Sequence, residues 1–344
     1  MTVQHLERKP VPGRRATIGD VAELAGVSKQ TVSRAINDKG EIGAATKERV
    51  LEAARSLGYR PSRFARGLRL QDSVTVGLLL SDVTNPYYPE VASGVLEVAE
   101  DRGWHVVVGD SRGDRRRELE ALQVLARQAD ALIGQCSSPD EELARELPGV
   151  PIVLLDHPPG HRGHGSVRID FTSGMRQAVD HLVLDRGRRR IGVLEGTPRA
   201  NPATERRLSA EQRLREHGLP AGADWTAHAV SHTVAGGEAA LAELLTARPD
   251  MDGVVCYNDQ IAIGAMRELK RAGRRVPADV SVIGFDGLPL GELVTPSLTS
   301  VHIDKARLGR LAVQEVARLL ADPTAPPVPD APVVHPELVV RGST

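Results

Sequence analysis

The chain has 344 residues, 41% of them hydrophobic but only 3% aromatic, and two cysteines, too few for a disulfide framework. At roughly 150 residues per domain this suggests about two domains with aliphatic cores. Its net charge of −1 hides an asymmetry: residues 1–72 carry 14 Lys/Arg and 8 Asp/Glu, and the rest carries 30 and 37. A basic head on an acidic body points to a polyanionic partner for the head alone.

The first residues, "MTVQHLERKP", hold no apolar h-region, so no signal peptide is expected. No stretch approaches the roughly 18 consecutive apolar residues of a membrane span. Cys136 and Cys256 lie in no zinc-like spacing and read as structural thiols of a reducing cytoplasm, which is the expected location.

The first predicted element starts at Thr17, which can cap a helix with Asp20 as the third residue of a capping box. Val21, Ala22, Leu24 and Ala25 give that helix an apolar side. Gly26 ends it at a turn that needs positive φ. Ser28 then caps "KQTVSRAIN", whose Val32, Ala35 and Ile36, with Val27, face inward. Helix, three-residue turn with Gly, and second helix is the helix-turn-helix pattern, whose second helix enters the major groove. Lys29, Gln30 and Arg34 on that helix are the candidate base readers, since Arg pairs with guanine and Gln with adenine edges. Thr17, Ser28, Thr31, Ser33 and Asn37 are candidate phosphate contacts that fix the register. A third helix, "AATKERVLEAARSLGY", has Val50, Ala53, Ala54 and Leu57 as its inner stripe and Gly58 as its stop.

The next segment, "YRPSRFARGLRLQDSVTVGLLL", resembles the hinge of the LacI/GalR family of bacterial repressors: a Pro, a short A-R-x-L helix, then the first strand of the body. The resemblance runs from about Thr17 to the C-terminus. It implies that the hinge helix enters the minor groove, with Leu68 as an apolar wedge flanked by Ala65 and Arg69. Ser62 stands where the family usually has Asn, and Gly67 where it has a better helix former. Gly costs about 1 kcal/mol against Ala inside a helix, so the ordering cost on DNA is expected to be steep.

From Val74 onward, apolar runs alternate with amphipathic ones: "VTVGLLL", "WHVVVGD", "ADALIG", "PIVLLD", "RIGVLEG", "GVVCYND" and "VSVIGFD" are the predicted strands. Strands alternating with helices predict doubly wound parallel α/β sheets, and their number predicts two lobes. The fold expected is a helical headpiece (1–60), a hinge and linker (61–73) and a two-lobed periplasmic-binding-protein-like body (74–344). Lobe 1 is expected at about 74–168 and 298–325, and lobe 2 at about 169–297 and 326–344. Ligands of such sheets bind beyond the carboxyl ends of the strands, here in the cleft between the lobes. Asp82, Asn85, Tyr87, Tyr88, Asp156, His157, Asn258, Asp259 and Asp286 sit at those ends.

The resemblance sharpens the set to Tyr87, Tyr88, Asp156, His157, Asn258 and Asp286 as effector contacts, with Asp259 structural. In "ERRLSA", Arg207 takes the effector-binding Arg position, although Ala210 and Glu211 replace the usual Gly-aromatic pair. Planar polar side chains beside aromatic rings suit a carbohydrate. The run "DSRGDRRRELE" reads as a solvated face.

No nucleophile elbow, P-loop or dinucleotide fingerprint is present, so no catalytic residue, cofactor or metal is expected. The expected function is a DNA-binding regulator, acting as a homodimer on a palindromic operator and controlled by a small molecule, a sugar or sugar derivative. No leucine heptad follows "ADPTAPPVPDAP", which favours a dimer over a tetramer. Control by a co-repressor or a protein partner, and a body that is only a cytosolic sugar-binding module, are the alternatives.

Overall fold

The computed structural model describes residues 17–36, 42–57, 73–156, 164–197, 201–322 and 331–344. Gly58, the hinge positions Pro61, Ser62, Ala65, Arg66, Gly67, Leu68 and Arg69, and the site candidates Asn37 and His157 lie outside the described residues.

Among the described residues the head is three helices, α1 (Ile18–Ala25), α2 (Lys29–Ile36) and α3 (Ala44–Ser56). The capping box at Thr17 closes in both directions: Asp20 N donates to Thr17 Oγ1 at 3.3 Å and Thr17 N to Asp20 Oδ2 at 2.6 Å. Gly26 ends α1 at φ 64°, where a side chain would cost energy. Ser28 Oγ accepts from Thr31 N at 3.1 Å and caps α2. The core is Val21, Val32 and Val50, all fully buried, ringed by Ala22, Ala25, Ala35, Ala53 and Ala54. Such small residues let three short helices approach closely.

Among the described residues the body holds two six-stranded sheets. The first contains β1 (Thr75–Leu80), β2 (His105–Asp110), β3 (Ala131–Gly134), β4 (Ile152–Leu155), β5 (Gly165–Ile169) and β11 (Val333–Val334), in the order β11-β5-β4-β3-β1-β2. The second contains β6 (Ile191–Glu195), β7 (Thr226–His228), β8 (Gly253–Cys256), β9 (Ser281–Asp286), β10 (Thr299–His302) and β12 (Glu337–Val339), in the order β12-β10-β9-β8-β6-β7. All pairs are parallel except β10 with β12. Strands β1, β3, β4, β6, β8 and β9 are buried along their whole length, as the covered strands of a parallel sheet must be. The flanking helices are α4 (Tyr87–Asp101), α5 (Arg115–Gln128), α6 (Asp140–Glu146) and α12 (Lys305–Ala321) on lobe 1. Those of lobe 2 are α7 (Phe171–Asp180), α8 (Asn201–Glu216), α9 (Val234–Ala247), α10 (Asp259–Arg271) and the one-turn α11 (Leu290–Leu293).

The chain crosses between lobes near Asp170, between β10 and α12, and between β11 and β12. The second and third crossings fall later than the sequence boundaries at 297/298 and 325/326. Strand β10 belongs to lobe 2, and β11 returns to lobe 1 beside β5. The reason is local. β10 begins with Thr299 and Ser300, fully buried hydroxyls that bond Thr344 and Asp259, so no apolar run announces it.

Candidate functional site

In the head, α2 presents Lys29, Gln30 and Arg34 as exposed side chains, with Thr31 and Ser33 partly covered. Gln30 and Arg34, four residues apart, share one helical face. Ser28 Oγ and Thr31 Oγ1 lie 2.8 Å apart at the helix start, and the Thr17 hydroxyl donates to Asp20 Oδ2 at 2.7 Å. The face combines a cation, an amide and a guanidinium on a rigid two-turn helix, the donor set for base edges in a major groove.

The second candidate site lies at the carboxyl ends of the strands. After β1, Asp82 and Asn85 shape the turn into α4: Thr84 N donates to Asp82 Oδ1 at 2.9 Å and Tyr87 N to Asn85 Oδ1 at 3.1 Å. These two residues therefore act through the backbone. The turn brings Tyr87 and Tyr88 together edge to face, with ring centroids 5.1 Å apart. Tyr88 Oη donates to Gln135 Oε1 at 2.8 Å, and Gln135 Nε2 donates to Asp156 Oδ2 at 3.0 Å. This relay across the ends of β3 and β4 fixes the Gln135 amide. Tyr87 Oη and Asp156 Oδ1 are buried and have no partner among the described residues. Buried polar atoms are normally paired, and each orphan invites an explanation. Asp156 has φ 59°, a left-handed conformation that Asp tolerates.

The lobe 2 wall centres on Arg206. Its guanidinium carbon lies 4.4 Å from each of the ring centroids of Phe171, Tyr257 and Phe285. Its Nη1 donates to the Tyr257 carbonyl at 2.6 Å, and its Nη2 lies 3.7 Å from Asp286 Oδ1. Its Nε has no partner among the described residues. Arg207, the residue taken from the sequence, is not brought to this site. It pairs with Glu195 at 3.1 Å and Glu211 at 2.7 Å. Helix geometry explains the correction. Arg206, Ala210 and Leu214 recur every four residues, and all three are buried against the body. Arg207 is one step round the helix, on the row of Glu211 and Arg215, which pair at 2.9 Å.

Asn258 is 2% exposed and caps α10, accepting from Ile261 N at 2.8 Å while its amide donates to the His232 carbonyl at 3.3 Å. It shapes the wall from behind. Asp259 is wholly buried between Ser300 Oγ and Leu288 N, a structural role. Sequence reasoning missed Gln135 and His232. His232 Nε2 accepts from Thr197 N at 3.0 Å, and its ring lies 4.6 Å from that of Tyr257. Gln135 directly follows a buried strand, so the strand-end rule could have found it. His232 stands in the loop between β7 and α9, where no motif marks it.

Burial raises the Asp156 carboxyl to about 7, with Arg206 opposing and Asp286 reinforcing the shift. Burial likewise raises Asp286 to about 6 against Arg206 and Lys305. Burial lowers His232 to about 4, aided by Arg206, so the ring is neutral and its Nε2 accepts. Asp286 sits at φ 104°, a backbone conformation that L side chains rarely adopt and that persists only where its surroundings hold it. The cleft thus offers two carboxylates, one caged guanidinium and unpaired hydroxyl and carboxylate oxygens beside aromatic rings. Such a set of donors and acceptors is complementary to hydroxyl groups. Among the described residues no group of His, Cys, Asp and Glu could hold a metal ion, and no helix is long and apolar enough to cross a membrane.

Residues 17–62 match the family model for bacterial regulatory proteins of the lacI family, and residues 179–344 that of the periplasmic binding protein-like domain. The chain is 31% identical to the HTH-type transcriptional repressor PurR of Photobacterium profundum, covering 95% of this chain and 98% of that protein. It is 33% identical to the ribose operon repressor of Escherichia coli, over 90% of this chain and 94% of that one. Among solved structures it is similar to the transcriptional regulator CelR–cellobiose complex, at 32% identity and a TM-score of 0.72, covering 96% of this chain and 100% of that one. It is also similar to the lac repressor dimer bound to operator and the anti-inducer ONPF, at 27% identity and a TM-score of 0.72, covering 96% and 99%.

Proposed function

The chain belongs to the LacI family of bacterial regulatory proteins, and from that premise we propose that its cleft senses a neutral sugar that sets the grip of the heads on operator DNA. The protein is a sequence-specific DNA-binding transcriptional regulator, and its relatives are repressors rather than enzymes. The observation that carries the proposal is the pairing of Asp286 with the caged Arg206 on one wall and the unpartnered Tyr87 Oη and Asp156 Oδ1 on the other. Sugar hydroxyls would satisfy those atoms, and the Tyr87 and Tyr88 rings would cover the apolar sugar face. Asp156 and Asp286 act as acceptors, Arg206 as donor, and Gln135 and Tyr88 hold Asp156 in place. The solved relative that binds cellobiose supports a carbohydrate. The near balance of charge argues against a phosphorylated one.

The working unit is a homodimer. Edge strand β2 leaves Val108 exposed, and the flanking helices α4 and α5 expose Leu96 and Val124. An apolar sheet edge of this kind is normally covered. The lac repressor relative is a dimer on its operator. Sugar binding changes the angle between lobes, and hence the dimer face next to the heads, by its differential affinity for the two states.

The test is a thermal-shift screen of the full chain against neutral mono- and disaccharides, phosphorylated sugars and nucleobases. At least one neutral sugar should raise Tm, and Asp286→Ala should abolish that rise. Stabilisation only by phosphorylated sugars or nucleobases would overturn the assignment.

A further inference from the structure

Lys305, the first residue of α12, stands just past the second crossing between lobes and has a fully buried side chain. A buried ammonium is costly unless its donors are used, and all three are. Nζ donates to the Asp286 carbonyl at 2.7 Å and to the Ile303 carbonyl at 3.2 Å, and lies 3.2 Å from Glu90 Oε2. The first acceptor belongs to lobe 2, the second to the crossover, and the third to α4 of lobe 1.

The carbonyl that Lys305 holds is that of a strained residue. Asp286 at φ 104° is followed by Gly287 at φ 66°, where an added Cβ would lie 2.5 Å from His302 Nδ1. Ser300 Oγ accepts from Gly287 N at 3.1 Å, and Asp259 accepts from Leu288 N. Asp286 therefore aims its carboxylate at Arg206 only while this scaffold holds its backbone. At the other end, Glu90 lies in the first turn of α4, next to Tyr87 and Tyr88. Helix α4 meets α12 almost backbone to backbone. A Cβ on Gly94 would lie 1.9 Å from the Ala306 carbonyl oxygen, and one on Gly309 would lie 2.2 Å from that of Val91. Two helices in such contact move together, because no side chain cushions a shift. The exposed Leu96 rides on the same helix.

We propose that Lys305 is a positioning residue that ties the backbone of Asp286 to α4 through Glu90, so that a change at the cleft alters the face that α4 presents. Charged groups around Nζ are Glu90 on α4, Asp286 at the end of β9 and, further off, Asp259 on α10. Both ends of the tie lie outside the head, so the coupling is built into the body. The inference rests on the reading of Asp286 as an effector contact.

Hydrogen exchange on the full chain without ligand tests the tie in both directions, since coupling between sites is reciprocal. Glu90→Gln, a change in lobe 1, should speed exchange of peptides spanning 286–303 in lobe 2 at least fivefold and leave 253–256 unchanged. Gly287→Ala, a change in lobe 2 whose added Cβ would lie 2.5 Å from His302 Nδ1 and so displace the Asp286 backbone, should speed exchange across 87–95 in lobe 1. Lys305→Met should do both, but its burial risks the fold, so the two outer variants decide. A change confined to the mutated lobe in either variant overturns the proposal. Because no sugar is used, that failure is distinct from a thermal-shift screen in which no neutral sugar binds.

Discussion

Asp156 shows how a carboxyl can be kept buried at the expense of stability. Held up at about 7 by burial, it binds its proton more tightly in the folded chain than in an unfolded one. The same holds for Asp286 at about 6. Through these groups the folded state gains stability on acidification from pH 7 towards 5 and loses it as pH rises through 6 to 7. His232, lowered to about 4, acts in the opposite sense: its contribution is lost as pH falls from about 6.5 to 4. Asp156→Asn should therefore raise the Tm of the sugar-free protein at pH 8, with the gap roughly halved at pH 5.5. It should also weaken sugar binding at least tenfold, and wild-type affinity should be higher at pH 8, where both carboxyls can accept. Calorimetric scans at the two pH values check this; identical Tm values would contradict it. In the head, Arg34→Ala should cost about 1–3 kcal/mol of operator affinity and relax preference at one base pair per half-site. A uniform loss across all sequences, measured by competition with variant operators, would make Arg34 a phosphate contact instead.

At the scale of elements, α8 carries the sharpest contrast. Arg206→Met should abolish the sugar-induced rise in Tm, whereas Arg207→Met should leave it intact; isothermal titration of both variants checks this. The sequence pointed to Arg207 because the spacing R-x-x-G-[FY] fits the second Arg of "ERRLSA" when Ala210 and Glu211 stand in for the missing Gly-aromatic landmark. Ala210 and Leu214, four and eight residues after Arg206, held the answer, since the apolar row of a helix marks its buried side. The capping box at Thr17, the turn at Gly26 and the buried runs of β1, β3, β4, β6, β8 and β9 were legible, because each is a local pattern. The short strands β5, β7, β10 and β11 were not. They owe their place to neighbours across the sheet, and β10 buries hydroxyls where a strand signal needs apolar side chains. Gln135 and His232 were missed for a related reason, since their roles come from partners on distant strands.

At the scale of the molecule, the proposed function needs two chains acting as one. If β2 and its flanking helices form the dimer face, Leu96→Glu combined with Val108→Glu should yield monomers by sedimentation and weaken operator binding at least a hundredfold. Each head alone would then hold a single half-site. Sugar binding by the monomer should persist, because the cleft is built within one chain. On the proposed function, a sugar in the cleft controls the hold on DNA. Its most direct test is the affinity of the full chain for DNA from upstream of its own gene, at fixed salt, with and without the sugar that raises Tm. Tight, sequence-specific binding is expected, which the sugar shifts at least tenfold and which Asp286→Ala renders insensitive. Specific binding that the stabilising sugar leaves unchanged would contradict it.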